Sequence, residues 1–300
     1  MTSVLYDAPG PKAKKRNIIY TVAFVAVMAL VAWWLVSVMV DKGQFEWAKW
    51  KPFTTSEAWE TYLLPALGNT LKAAALALVI ALPLGALFGI ARLSDHKWVR
   101  VPAGVVVEFF RAIPVLILML FANELYASFT DVSSDIRPLY AVVTGLVLYN
   151  ASVLAEVVRA GILSLPKGQT EAAQAIGLRK GQTMTNVLLP QAVTAMLPAI
   201  VSQLVVIVKD TALGGALIGY AELLRSVRTM SGFYANVIPT FIVVAVLYIL
   251  LNFLLTSFAS WLERRIRGGK RSTGAVVGAA QLDELETVGP EPTTDKKTGP

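Results

Sequence analysis

The sequence predicts an all-α polytopic membrane protein with six transmembrane helices, and three observations predict it. Hydrophobic residues make up 55% of the 300 positions and charged residues only 16%, against about a quarter charged in a typical soluble domain. Apolar runs recur along the chain, several reaching the ~20 residues that a helix needs to cross a ~30 Å hydrocarbon core. The short alternating segments of a membrane barrel do not occur, and backbone groups in lipid must bond within their own segment, so the runs should be helices.

Composition also excludes some chemistry. There is no cysteine, and His96 is the single histidine, which rules out disulfides, thiolate sites and a histidine metal cluster. The net charge of +7 comes from basic residues that flank apolar runs without aromatic interleaving, a pattern of membrane orientation and not of nucleic-acid binding.

Taken in order, residues 1–16 form a basic N-terminus with Lys12, Lys14, Lys15 and Arg16. The run over about 17–40 is too long for a signal-peptide core and lacks a small-residue cleavage pattern, so it reads as a retained span. Residues 41–62, with Phe45, Trp47, Trp50, Phe53 and Trp59, suit an amphipathic helix at the outer headgroup level. Five further spans follow at about 63–91, 101–122, 138–158, 191–220 and 234–262. The alternate inter-span segments that include both ends carry sixteen Lys and Arg, against six in the others, so the positive-inside rule predicts that both termini are cytoplasmic. Residues 263–300, rich in Gly, Ser, Thr, Pro and acidic residues, read as a disordered cytoplasmic tail.

The loop 159–190 is long, cytoplasmic by the charge count and strongly patterned. Local rules parse it as helix, turn, helix. Thr170 offers an N-cap oxygen, Glu171 falls in the first turn where the helix dipole favours a carboxylate, and Gly177 can take the left-handed conformation that ends a helix. So short a helix is marginal alone in water and is explained if it docks into a partner.

Glu171-Ala172-Ala173, three residues, Gly177, nine residues, Val187, one residue, then Leu189-Pro190 resembles the coupling-loop motif of ABC importer permeases, with Val187 where that family often has Ile. The segments Arg111-Ala112-Ile113-Pro114, Ala155-Glu156-Val157-Val158-Arg159-Ala160-Gly161, Pro166-Lys167-Gly168-Gln169 and Lys209-Asp210-Thr211 are similar to the polar amino-acid uptake branch, with Ala112 and Ala160 where Gly is common. The resemblance covers about 63–262 and implies the type I ABC importer permease fold: a five-helix core, to which this chain adds an N-terminal helix. It further implies that Glu171, Ala172, Ala173 and Gly177, with Leu189 and Pro190 closing the motif, form the element that sits in a groove of a separate ATPase subunit. The implied partners are an ATPase dimer, a second permease subunit (a paralogue or a second copy), an external solute-binding protein, membrane lipid and an amino acid. That external protein would face the segment near Trp47 and Trp50 and the loops near Asn123 and Glu222. With its extra span and polar tail, the whole chain is similar to the glutamate-uptake permeases of actinobacteria, which puts glutamate ahead of glutamine or basic amino acids.

Charges inside spans cost about 2.5–3.5 kcal/mol each on insertion scales, so they mark a bundle interior or a watery path. Lys72 lies near a span end and can snorkel. Glu108 and Arg111 stand one turn apart and can neutralise each other. Lys209 and Asp210 point about 100° apart and need other partners. A zwitterion brings a carboxylate and an ammonium. Arg111, Arg159 and Lys209 are candidates for the first, Glu156 and Asp210 for the second, with Asn150 and Thr211 as neutral donors and acceptors. Pairing between helices is the competing reading of the same charges. Gly85 and Gly89 carry the spacing of a close helix contact, and Gly214, Gly215 and Gly219 would permit a break in the fifth span.

No Gly-x-x-x-x-Gly-Lys-Ser/Thr phosphate loop occurs in the chain, so ATP and Mg are expected on the partner ATPase, and this subunit is expected to be non-catalytic and to bind no cofactor or metal. The rival classes are an ion-coupled secondary transporter, which would not require the coupling loop, and a membrane-embedded enzyme, for which no nucleophile, base and metal set is present.

Overall fold

In a computed structural model of the protein, which describes residues 10–268, the helices are α1 (Pro11–Asp41), α2 (Trp47–Trp50), α3 (Ser56–Ala58), α4 (Leu64–Ala91), α5 (Lys97–Ala112), α6 (Val115–Phe129), α7 (Arg137–Leu163), α8 (Lys167–Ala175), α9 (Lys180–Thr183), α10 (Leu189–Leu217), α11 (Leu223–Tyr234) and α12 (Val237–Gly268). No strand occurs among the described residues. Five helical stretches are long and apolar enough to cross a membrane, and the pair α5 and α6 makes a sixth if it counts as one bent span.

That pair is where the span expected at about 101–122 falls. The chain bends by 98° between the two helices. Pro114 is the cause: it has no N–H to continue α5, and it forces Ile113 into the extended conformation observed there, φ −92° and ψ 129°. Prolines also shape two other helices. Each of two π-helical turns, Trp59–Leu63 and Met184–Leu188, ends two residues before a proline, Pro65 and Pro190. The wide turn relieves the clash of the ring with the carbonyl four residues back.

The chain divides into two compact units. One comprises residues up to Leu67 together with Leu223–Ala245. Within it α1 is a 31-residue helix with no buried residue, the form a helix takes when lipid surrounds it. The segment expected as one amphipathic helix over 41–62 is instead α2, a 3-10 turn at Lys51–Thr54 and α3. The indole N–H groups of Trp50 and Trp59 donate to the carbonyls of Gln44 and Phe53, both at 2.8 Å, and these local bonds fold the segment on itself. Asn236 donates to the Lys49 carbonyl at 3.0 Å, and Tyr62 meets Tyr234 edge-on.

The other unit comprises Gly68–Glu222 and the chain from Val246, and α7 is its axis. Two-thirds (67%) of the most apolar window of α7 is buried. Its core joins Ala73, Ala74 and Ala77 of α4, Met119 of α6, Val142 and Leu146 of α7, and Ile207 and Val208 of α10. Gly85 and Gly89 do form the close contact their spacing predicts: a Cβ on either would overlap Leu154 or the Ala155 carbonyl of α7. The second glycine cluster is not a break. Gly214 packs on Val142, the Glu222 carboxylate lies over Gly215, and only Gly219, with φ +83°, ends the helix.

At the chain ends, α12 continues through residues 263–268, which were expected to belong to the tail. Residues 1–9 and 269–300, with the rest of the expected basic start and disordered tail, lie outside the described residues. Asn123 falls within α6 and not on a loop, and Glu222, expected at a surface, is fully buried, accepting a 2.6 Å hydrogen bond from the Tyr248 hydroxyl.

Candidate functional site

The 159–190 segment folds as α8, a four-residue turn, and then α9 leading through a π turn into α10. Its first helix begins earlier than expected. Pro166, at φ −57° and ψ 132°, is the N-cap residue and Lys167 the first helical one. Thr170 is therefore not a cap, and Glu171 lies in the second turn. The C-terminus matches expectation. Gly177 has φ +83°, its N–H bonds the Gln174 carbonyl at 2.9 Å, and the Leu178 N–H bonds the Ala173 carbonyl at 3.1 Å. These two bonds make a Schellman ending.

One face of α8 is committed to the chain itself. Ala173 is buried, and Gln191 of α10 donates to Gln169 at 3.3 Å. The rest of the segment is open: Glu171, Ala172 and Gly177 are exposed, and Ile176 is 78% exposed. Leu189 and Pro190 begin α10 directly after the π turn, with Leu189 half-buried and Pro190 exposed. A short helix held from behind, with an apolar and acidic front, is shaped for a protein groove.

An ion cluster joins the end of α4 to α5 and α7. Glu156 of α7 accepts from Arg92 at 2.7 Å and from Arg159 at 2.7 Å, with Arg111 at 3.8 Å. Arg92, just beyond α4, spends its other terminal nitrogen on Glu108 of α5 at 2.9 Å, and Arg111 stands 3.6 Å from Glu108. Three guanidinium groups face two carboxylates, leaving one net positive charge. The cluster borders a cleft of about 660 Å³ lined by Arg92, Arg100, Gly104, Glu108, Phe109 and Arg159.

The remaining candidates sit elsewhere on α7 and α10. Asn150 is buried, bonds the Leu146 carbonyl at 2.8 Å and accepts from Gln203 of α10. Thr211 is buried with its hydroxyl on the Val208 carbonyl at 2.7 Å. Lys209 is exposed and Asp210 half-buried, and neither makes a hydrogen bond or ion pair among the described residues. The antiparallel pairing of α7 and α10, marked by Asn150 with Gln203 and by Gly214 with Val142, puts Glu156 and Asp210 on opposite sides of the Asn150 level. At 1.5 Å per residue they are about 20 Å apart along the helices. The candidates thus divide into an Arg111, Glu156 and Arg159 group and a Lys209, Asp210 and Thr211 group, a separation no single amino acid bridges.

One residue that matters carries no distinguishing signal in the sequence, and another carries a misleading one. Arg92 read only as one of the interfacial positive charges, because its carboxylate partners lie 16 and 64 positions away. Glu222, expected in the sequence as a loop surface facing the external protein, is instead fully buried, because a loop position gives no sign of the Tyr248 hydroxyl that donates to it.

Residues 81–268 match the family described as binding-protein-dependent transport system inner membrane component. The chain is 48% identical over 247 residues to the glutamate transport system permease protein GluD of Corynebacterium glutamicum, covering 82% of this chain and 90% of that one. It is 26% identical over 275 residues to the arginine transport system permease protein ArgU of the same organism, covering 88% and 85%. A solved amino acid ABC transporter with histidines shares 28% identity and a TM-score of 0.62 over 67% of this chain and 92% of its own.

Proposed function

Because the chain belongs to the family of binding-protein-dependent transport system inner membrane components, we propose that it is the permease subunit of an ATP-driven amino-acid importer with glutamate as its substrate. The observation that carries the mechanism is α8: a short helix, braced from behind, ended at Gly177 and presenting Glu171, Ala172 and Ile176 outward. An ATPase groove receives that face. The ATPase carries ATP and Mg, and this chain is non-catalytic.

Identity supports the substrate. The match to a glutamate permease is nearly twice that to an arginine permease of the same organism. Both termini are cytoplasmic in this reading, so α8 faces the cytoplasm. A second permease subunit and an ATPase dimer complete the assembly, and an external binding protein delivers the amino acid. ATPase closure moves α8 and opens the path outward; return follows hydrolysis. Along the path the Arg111, Glu156 and Arg159 group and the Lys209, Asp210 and Thr211 group act at successive levels, with Asn150 between them.

The test is to co-purify the chain with its ATPase and binding protein, reconstitute them, and measure ATPase activity and uptake against a panel of amino acids. Glutamate should stimulate both, ahead of glutamine and arginine. Uptake driven by an ion gradient without ATP would establish a secondary transporter instead.

A further inference from the structure

A push on α8 needs a path into the spans, and the contacts of α9 supply one. Lys180, the first residue of α9, forms an ion pair with Asp95 and donates to the Leu93 carbonyl at 3.3 Å. Both acceptors lie on the turn between α4 and α5. Apolar packing runs alongside: Leu93 and Ile90 of the α4 end pack with Met184 and Leu188 of the π turn and with Val158 and Ile162 of α7. Ile90, Leu93, Lys180 and Met184 also line an open cleft of about 330 Å³, so the Lys180 bonds are the polar link across its rim and the apolar contacts lie along one wall.

Arg92 precedes Leu93 directly. Its side chain is 14% exposed and reaches Glu108 on α5 and Glu156 on α7 at once. The turn gripped by Lys180 is therefore the turn that sets the position of a guanidinium bridging two helices. α5 ends at Ala112, two residues before Pro114, and the chain bends by 98° into α6, so the helix carrying Glu108 and Arg111 is not continued rigidly beyond them.

We propose that the turn Arg92–Asp95 is a second receiver of the coupling movement, with Lys180 and Asp95 as positioning residues that pass the displacement of the α8–α9 segment to Arg92, and through it to Glu108 and Glu156. The proposal rests on the reading of α8 as the ATPase-docking helix. It differs from a stability role on magnitude: Lys180 and Asp95 are 53% and 74% exposed, and so exposed a pair adds little to folding. Its loss should leave the fold in place and weaken only what depends on its position.

The experiment uses the complete transporter, permease with ATPase and binding protein, reconstituted in lipid nanodiscs. In Lys180→Gln and Asp95→Asn the ATPase subunit should co-purify as in the parent. Stimulation of ATPase activity by the loaded binding protein should fall by about fivefold, the low end of ordinary coupling energies. The exchanged pair, Lys180→Asp with Asp95→Lys, should recover it. Full stimulation in both single variants overturns the proposal, as does a loss that the exchanged pair does not recover. Loss of the ATPase subunit from the single variants would also overturn it, by making the pair part of docking. The docking reading fails separately, if Glu171 and Gly177 variants keep the ATPase subunit and transport.

Discussion

Arg92 and Glu156, 64 positions apart in the chain, meet at 2.7 Å, and this contact joins the end of α4 to α7. It is a partly buried, charge-assisted bond, in the class worth about 1.5–3 kcal/mol. Glu156 serves three guanidinium groups, whereas Glu108 is 59% exposed and serves two. Glu156→Gln should therefore lower the thermal inactivation midpoint of the reconstituted transporter more than Glu108→Gln. Equal effects would mean that solvent screens both carboxylates alike.

The glycine contacts give a packing prediction. A Cβ at Gly145 would overlap the backbone of Met119, whereas one at Gly68 meets nothing within 4 Å. Gly145→Ala should destabilise by about 1–3 kcal/mol as α6 and α7 are forced apart. Gly68→Ala should be neutral or gain up to about 1 kcal/mol from helix propensity. Thermal unfolding of the two variants in detergent distinguishes them.

Asp210 offers the clearest substrate-path test. It is half-buried in α10 without an ion-pair partner among the described residues. Asp210→Asn should abolish uptake and substrate-stimulated ATPase activity while the ATPase subunit remains bound. Retention of both activities would remove Asp210 from the path.

The pH behaviour of the Lys180 and Asp95 contact follows from its charges. The hydrogen bond from Lys180, then its charge and those of His96 and Arg100, hold the Asp95 carboxyl below its ordinary range. A depressed carboxyl keeps its bond above the unfolded value and loses it only as pH falls through the lowered one. Above about pH 5, then, the ratio of stimulated ATPase activity between the parent and Asp95→Asn should not vary with protonation of Asp95. A ratio that changes steeply between pH 5 and pH 7 would place the titrating group elsewhere.

Much of this architecture was legible in the sequence because lipid imposes a strong rule: long apolar runs must be helices. The long helices, the close contact at Gly85 and Gly89, and the left-handed ending at Gly177 follow from local chemistry that a sequence carries. The bend at Pro114 was written in the sequence too, but hydropathy averages over it and reads α5 and α6 as one span. The start of α8 was misjudged because Thr170 is a good cap in isolation, whereas Pro166 upstream admits an earlier start. Least legible were the pairings. Arg92 with Glu156, Glu222 with Tyr248 and Asn150 with Gln203 join residues that only the folded chain brings together. They turned a set of isolated membrane charges into one cluster and a separate level some 20 Å away along the helices.

Gly177 carries a strain prediction that leads to the central claim. At φ +83° a β-branched residue costs about 1–2 kcal/mol, confined to the end of α8 because a Cβ there meets nothing within 4 Å. Gly177→Val should loosen the Schellman ending and shift the docking face without unfolding the spans.

The measurement that tests the account most directly is retention of the ATPase subunit, with uptake, in the Glu171→Ala and Gly177→Val double variant. The account predicts that the variant folds and inserts like the parent but loses the ATPase subunit and ATP-driven uptake together. A variant that keeps the parent's ATPase binding and uptake would contradict it, because energy would then enter the chain somewhere other than α8.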